Sequence, residues 1–126
     1  MAAVTNPYTQ YTSNKVNTVS GEELTLMLYE GALKFTNQAI LAIEGKDFEK
    51  ANNLILRVED IIREFQMTLN HDYDISKYFD SMYDYMYRLL VEANASKDVE
   101  VLNEVKEYIR DFRDSWKEAM KLAKLA

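Results

Sequence analysis

The chain contains no cysteine, and only one proline and three glycines among its 126 residues. Without cysteine it cannot form a disulfide framework, a cysteine-ligated zinc site or a thiol nucleophile. Because proline and glycine most often interrupt regular structure, their scarcity predicts few turns and long secondary-structure elements. Extended alternation of apolar and polar residues, which is typical of half-buried strands, is hard to find. The sequence therefore predicts one all-α domain.

Long apolar runs and a basic surface are also missing. No stretch approaches about 18 uninterrupted apolar residues, so no transmembrane helix is predicted. The first 20 residues are polar and lack the apolar segment of a signal peptide, which predicts a cytoplasmic protein unless another mechanism exports it. The formal net charge of -6, with no Lys/Arg cluster outside the end of the last helix, argues against nucleic acid and anionic membranes as partners.

Catalytic and metal-binding chemistry has few candidate residues. The single histidine, His71, lies in a predicted turn beside Asp72 and Asp74. Phosphotransfer in a bundle requires a histidine exposed in mid-helix, and a di-iron site requires inward Glu-x-x-His pairs. A hydrolase with two carboxylates remains compatible with the composition, although no pair of acidic residues stands out. We therefore predict no enzymatic activity, no cofactor and no metal site.

Apolar residues recur with helical spacing in four segments, which predicts helices at 21–44, 48–70, 75–95 and 99–123. The predicted boundary residues are Ser20 in a capping box with Glu23, the N-caps Asp47, Asp74 and Asp98, and Gly45 at the end of the first helix. Connections of at most four residues force neighbouring helices to be antiparallel. The predicted architecture is an up-down-up-down four-helix bundle at residues 20–126, preceded by a mobile arm at residues 1–19.

The first helix is apolar on two sides. One side carries a stripe of Leu24, Met27, Leu28, Gly31, Phe35, Ala39 and Ala42, and a second stripe, roughly opposite, consists of Leu26, Tyr29, Leu33 and Ile40. A helix at the edge of a small bundle needs only one stripe, so we predict that the second stripe carries the function. Two interpretations remain open: permanent burial under the arm, or burial under the arm in the free protein and under a partner in the complex.

Tyrosine is abundant, with nine among 126 residues. On the third helix, the predicted flanks of the core stripe are Tyr78 and Tyr85 on one side and Tyr83 and Tyr87 on the other. A ring with a polar tip suits a surface that is covered only part of the time. The alternative is that these tyrosines complete the edge of the core and keep their hydroxyls in water. Two residues of the second helix also point away from its core stripe, Leu56 and Met67.

A set of short motifs extends from the arm to the last helix. They are Asn6-Pro7-Tyr8 with Tyr11, Thr18-Val19-Ser20, the run Glu-Leu-Thr-Leu-Met-Leu-Tyr-Glu-Gly-Ala from Glu23 to Ala32, Asp60-Ile61-Ile62, Tyr83-Asp84-Tyr85-Met86, Arg88-Leu89-Leu90, Glu92-Ala93-Asn94 and Trp116. Together they resemble the FliS family of flagellin-specific export chaperones over almost the whole chain. The resemblance departs at Gly21, where many members have proline, and at Phe65-Gln66, where a Glu-Leu pair is common.

The resemblance implies an export chaperone of the flagellar type III secretion system. Such a protein is a small cytoplasmic bundle that binds the disordered C-terminal segment of flagellin, which wraps around it and becomes partly helical. Binding prevents premature polymerisation, and the complex is delivered to the flagellar export gate. The arm is expected to cover part of the groove in the free protein, and its Tyr8 and Tyr11 to dock at the gate. The expected flagellin-binding residues are Leu26, Tyr29, Leu33, Ile40, Tyr78, Tyr83, Tyr85 and Tyr87.

A second class of function fits the same residues. A non-enzymatic signalling or structural bundle could homodimerise through its second stripe. Both hypotheses predict an exposed apolar ridge, and they differ in whether a second copy or a foreign peptide covers it. We expect a monomer, with weak homodimerisation as the alternative.

Overall fold

The computed structural model describes the backbone of residues 21–125 and the side chains of residues 21–123. Within this part of the chain there are four α-helices and no strand: α1 Gly21–Glu44, α2 Phe48–Thr68, α3 Ile75–Ser96 and α4 Val99–Leu125. The all-α prediction is confirmed, and each helix boundary lies within two residues of its predicted position. No helix in the described range is long and apolar enough to cross a membrane. The predictions for the arm, including Tyr8, Tyr11 and the Ser20 cap, lie outside the described residues.

The four helices close into a four-sided bundle. The helix α1 packs against α2 and α4, and α3 packs against the same two helices from the other side. At one end, the indole N–H of Trp116 donates to the carbonyl oxygen of Glu22 at 2.9 Å, which joins the last turns of α4 to the start of α1. At the other end, Asn94 of α3 donates to Asn52 near the start of α2 at 2.7 Å. Neighbouring helices therefore run in opposite directions, and the up-down-up-down prediction is confirmed.

Two of the predicted aspartate caps are confirmed and one is wrong. The Asp47 carboxylate accepts a hydrogen bond from the backbone N–H of Lys50 at 3.1 Å, and Asp98 accepts one from Glu100 at 2.9 Å. Asp74 precedes α3, but its backbone is already helical, with φ -59° and ψ -36°, and its side chain makes no cap bond. An N-cap side chain reaches the first free amides from a non-helical backbone, which Asp74 lacks.

The end of α1 differs from the prediction for Gly45. No glycine in the described range has a positive φ, and Lys46 instead takes the left-handed conformation with φ 62°. The N–H of Lys46 donates to the Ile43 carbonyl at 2.9 Å, and the N–H of Asp47 donates to the Ala42 carbonyl at 2.8 Å. This pair of bonds is a Schellman motif. The helix ends where predicted, but the residue that reverses the chain is a lysine.

The two apolar sides of α1 are the edges of one buried arc. Leu28 and Leu33 are exposed by only 7% and 8%, and the positions between them on the helical wheel are filled by buried Tyr29, Ala32 and Thr36. At 100° per residue Leu28 and Leu33 lie about 140° apart, and with buried Ala42 beyond Leu28 the arc covers about 180°. It is wide because α1 packs against two neighbouring helices. The prediction of a separate, exposed second stripe is therefore wrong at Tyr29 and Leu33.

Small residues at the centre of the arc concealed its continuity in the sequence. Ala32 and Thr36, which belong to neither predicted stripe, are both completely buried. The Thr36 hydroxyl donates to the carbonyl oxygen of Ala32 at 2.7 Å, which satisfies the polar group within its own helix. The remaining second-stripe residues, Leu26 and Ile40, are partly buried, and Ile40 packs against the core.

Replacing Leu33 with alanine is expected to destabilise the protein as much as replacing Leu28, by about 2–4 kcal/mol each, because both leave a cavity in the core. The matched control on the same helix is Leu41→Ala, at a side chain that is 67% exposed. This control should change the free energy of unfolding by less than about 0.5 kcal/mol. Denaturant unfolding of the three variants measures these values. A Leu33→Ala variant as stable as Leu41→Ala would contradict the single-arc description.

Candidate peptide-binding surface

Aromatic rings from all four helices meet in the bundle interior. Tyr29 of α1 lies 4.4 Å from Phe65 of α2, between ring centroids, and Phe65 lies 5.5 Å from Tyr83 of α3. The Tyr83 ring meets Phe112 of α4 edge-on at 5.7 Å, and Phe79 stacks at 6.3 Å from Tyr83. We call these five residues the aromatic cluster. Two predicted partner-binding residues, Tyr29 and Tyr83, thus belong to the core and hold the helices together.

The hydroxyls of Tyr29 and Tyr83 hydrogen-bond to each other at 3.0 Å. The two residues are only 6% and 4% exposed. Burial raises the pKa of both hydroxyls above the ordinary value of 10.0. Both are therefore neutral at physiological pH, and the bond between them satisfies polar groups that the rings carry into the core.

Replacing either tyrosine with phenylalanine leaves the other hydroxyl buried without its partner. We expect Tyr29→Phe and Tyr83→Phe each to cost about 1–2 kcal/mol of unfolding free energy. The double variant should cost clearly less than the sum, because no orphaned hydroxyl remains. A double-mutant cycle by denaturant unfolding measures the coupling. Strictly additive costs would show that the hydroxyl pair does not act as a unit.

The other three tyrosines of α3 reach the surface in different ways. Tyr78 is 54% exposed. Tyr85 is 36% exposed and donates to the Glu104 carboxylate of α4 at 2.9 Å. Tyr87 is partly buried on the opposite side, next to α2, with the Arg63 guanidinium 3.5 Å from its ring centroid. Of the predicted pair Tyr83 and Tyr87, only Tyr87 therefore remains accessible.

An open groove between α2 and α3 combines apolar and polar side chains. We call it the α2–α3 groove, and its lining consists of Asn52, Leu56, Glu59, Val91, Asn94 and Ala95. Leu56 and Val91 are large apolar side chains that are 44% and 47% exposed. This exposure confirms the expectation that Leu56 points away from the core. The amide pair of Asn52 and Asn94 also belongs to the lining.

Glu59 is a carboxylate largely enclosed by the groove, with 7% exposure. Burial is the main cause that raises its pKa above 4.5, and the Tyr87 hydroxyl and the positive charge of Arg63 partly oppose that effect. Within residues 21–123, no lysine or arginine forms an ion pair with Glu59. The nearby Arg63 instead covers the Tyr87 ring and donates to Gln66 at 2.6 Å. The α2–α3 groove thus holds an acidic group on which the positive charge of Arg63 acts, but with which no described lysine or arginine forms an ion pair.

A second groove lies between α1 and α4, near the start of α1. Its lining consists of Leu26, Asp114, Lys117, Glu118, Met120 and Lys121. Leu26 is the one second-stripe residue found in it.

Sequence reasoning missed Glu59 and Val91 as surface features. The signal for Val91 was its position on the helical wheel, about 160° from the core residues Leu89 and Ala93. Leu90 is completely buried and Val91 is 47% exposed. No such signal existed for Glu59, because the groove around it is completed by residues of a different helix, among them Val91 and Asn94 of α3.

Comparison with known proteins places this architecture among flagellar proteins. A model of the family described as "Flagellar protein FliS" matches residues 4–123. The flagellar secretion chaperone FliS of Bacillus subtilis (strain 168) is 49% identical over 118 residues, covering 94% of this chain and 89% of that protein. The protein of the same name from Campylobacter jejuni is 29% identical over 113 residues, with 88% of each chain covered. The one from Escherichia coli (strain K12) is 27% identical over 108 residues, covering 83% of this chain and 79% of that protein.

Proposed function

The chain belongs to the FliS family of flagellar secretion chaperones, and we propose that it is a non-enzymatic chaperone that binds the disordered C-terminal segment of flagellin in the cytoplasm. In this proposal, binding prevents premature polymerisation and delivers the subunit to the flagellar export gate. The observation that carries the proposal is the family match over residues 4–123. The exposed apolar side chains of the bundle support the proposal, because an export chaperone must offer its client an accessible apolar surface.

The energetics of a disordered client agree with this surface. Ordering such a segment costs about 2–5 kcal/mol or more of the gross interaction energy, so the chaperone must supply apolar contacts along a length of surface. The exposed large apolar side chains of the described chain are Leu41, Phe48, Leu56, Met67, Tyr73, Ile75, Tyr78, Tyr85, Val91 and Leu122. They are spread along the bundle and do not form one enclosed pocket. This distribution favours a client helix docked in shallow grooves.

The structure divides the predicted flagellin-binding residues into two groups. Five remain accessible or partly accessible and are retained in the proposal: Leu26, Ile40, Tyr78, Tyr85 and Tyr87. The other three are core residues that act through the shape of the bundle: Tyr29, Leu33 and Tyr83. We add Leu56 and Val91 of the α2–α3 groove as contacts.

The purified protein is expected to bind the C-terminal segment of its own organism's flagellin at one to one, with a gain of helix in the client. Calorimetry and circular dichroism measure both effects. Leu56→Ala and Val91→Ala should each weaken binding by about 1–2 kcal/mol, as expected for anchors truncated in an interface. Leu41→Ala, which removes an exposed apolar side chain outside the α2–α3 groove, should weaken binding less, which separates the contribution of the groove from that of exposed apolar surface in general.

The opposite results would lead to different conclusions. No heat and no gain of helix at tens of micromolar would refute flagellin binding. A stable homodimer that does not bind flagellin would favour the structural bundle, since a second copy would then cover the apolar surface.

We also propose that Tyr8 and Tyr11 of the arm dock at the export gate. Replacing both with alanine should leave flagellin affinity within about threefold, a change of less than 1 kcal/mol, because the bundle is untouched. The same change should lower the amount of flagellin in the culture medium. Tyr73→Ala is the matched control, since Tyr73 is a 65% exposed tyrosine outside the arm. Normal secretion by the Tyr8/Tyr11 double variant would contradict this role.

A further inference from the structure

We propose that the α2–α3 groove selects a basic residue in the bound client. In this arrangement a lysine or arginine of the client pairs with Glu59, while an apolar side chain about one turn away on the same client helix contacts Leu56 and Val91. The inference rests on the proposed function and specifies one feature of the client that this groove recognises.

The first argument is the unused capacity of the Glu59 carboxylate. An ionised carboxylate offers about four acceptor positions. In the described chain Glu59 interacts with the Tyr87 hydroxyl, and the positive charge of Arg63 acts on it, but no lysine or arginine lies within ion-pair distance. A largely buried charge without an ion-pair partner costs folding free energy. A cation brought by a client would remove that cost and gain a charge-assisted hydrogen bond.

The second argument is that the cations around the groove are already engaged. Arg63 lies over the Tyr87 ring and donates to Gln66. At the other end, the Lys97 ammonium donates to the backbone carbonyl and side chain of Asn94, at 2.5 and 2.8 Å. Asp60, the next residue along α2, adds a second negative charge that raises the pKa of Glu59 further, and the charge of Arg63 lowers it. The carboxylate has no direct ion pair in the described chain, so a cation from outside can supply one.

The third argument is the spacing of the lining residues. Leu56 and Glu59 are three residues apart on α2, so they lie on the same face with Cβ atoms about 5–6 Å apart. Both line the α2–α3 groove together with Val91. An apolar and a basic residue separated by three or four positions on a client helix have the same spacing. One turn of helix can therefore fill both parts of the groove at once.

Charge also argues against a second copy of this chain as the occupant. The chain has a formal net charge of -6. Bringing two such chains together at a groove that contains Glu59 and adjoins Asp60 places like charges side by side. A basic client segment has the complementary charge.

The test measures affinity for the C-terminal flagellin segment of the same organism. Glu59→Gln keeps the shape and the acceptor for the Tyr87 hydroxyl but removes the charge. We expect it to weaken binding by about tenfold, the effect of losing one charge-assisted contact. Asp60→Asn is the matched control: it removes the same charge one position away, outside the groove lining, and should weaken binding by less than about threefold.

Lysines and arginines of the flagellin segment are then replaced by glutamine one at a time. One replacement should weaken binding to the wild-type protein by about tenfold and have little further effect on Glu59→Gln. This non-additivity identifies the basic partner of Glu59.

The stability of the Glu59→Gln variant shows that any loss of binding is not a loss of fold. Because folding raises the pKa of Glu59, its favourable contribution is complete below the unfolded-state value near 4.5 and is lost as the pH rises through the folded-state pKa. The groups facing the carboxylate are Tyr87 of α3 and Asp60 and Arg63 of α2. At pH 7 the variant should therefore unfold at an equal or higher denaturant concentration than the wild type, and this advantage should disappear at pH 4.

The possible failures are distinct. If Glu59→Gln binds flagellin as tightly as the wild type, or loses no more affinity than Asp60→Asn, the selection of a basic residue is overturned and the chaperone function stands. If the wild-type protein does not bind the flagellin segment, the proposed function is refuted, and the inference about Glu59, which depends on it, is refuted as well.

Discussion

The aromatic cluster is the contact on which the bundle depends, because Tyr29, Phe65, Tyr83 and Phe112 bring one ring from each helix to a common point. Once these rings meet, α1 must lie against two neighbours, and its buried arc widens to about half of the helix circumference. The Tyr29–Tyr83 hydrogen bond allows two polar rings to take part without leaving unsatisfied groups. The accessible apolar surface consists of the apolar side chains that this packing does not bury.

That remaining surface explains how a well-packed bundle can still bind a client. Leu56 and Val91 lie at the edges of their helices, where the curvature of two packed cylinders leaves a groove that no third helix of the described chain fills. Glu59 in the same groove lowers the stability of the free protein but can contribute to recognition of a client. A buried charge costs folding free energy in the free protein, and the same charge adds specificity when a partner supplies the opposite one. Stability and recognition thus make opposite demands on this residue.

Local signals in the sequence predicted the positions of the helix boundaries well and the roles of individual side chains at those boundaries less well. Asp47 and Asp98 cap helices as expected, because capping depends on a few adjacent residues. Asp74 fails because the chain has already become helical before α3 begins. Lys46, and not Gly45, takes the left-handed conformation. In the Schellman motif the N–H groups of Lys46 and Asp47 donate to the carbonyls of Ile43 and Ala42, which places Lys46 at the left-handed position. In each case the predicted position of the helix boundary was right. The prediction of which residue caps the helix or reverses the chain was right for Asp47 and Asp98 and wrong for Asp74 and Gly45.

The sequence by itself determined the number, approximate lengths and alternating directions of the helices, because helical periodicity and short connections leave one simple architecture. Only the tertiary structure decided which apolar residues are accessible. Burial depends on how many neighbours a helix has and how closely they approach, and small residues such as Ala32 and Thr36 allow that approach without an apolar signal of their own. The same holds for Glu59, whose groove is completed by Val91 and Asn94 of another helix. Periodicity along one helix carries no information about such a neighbour.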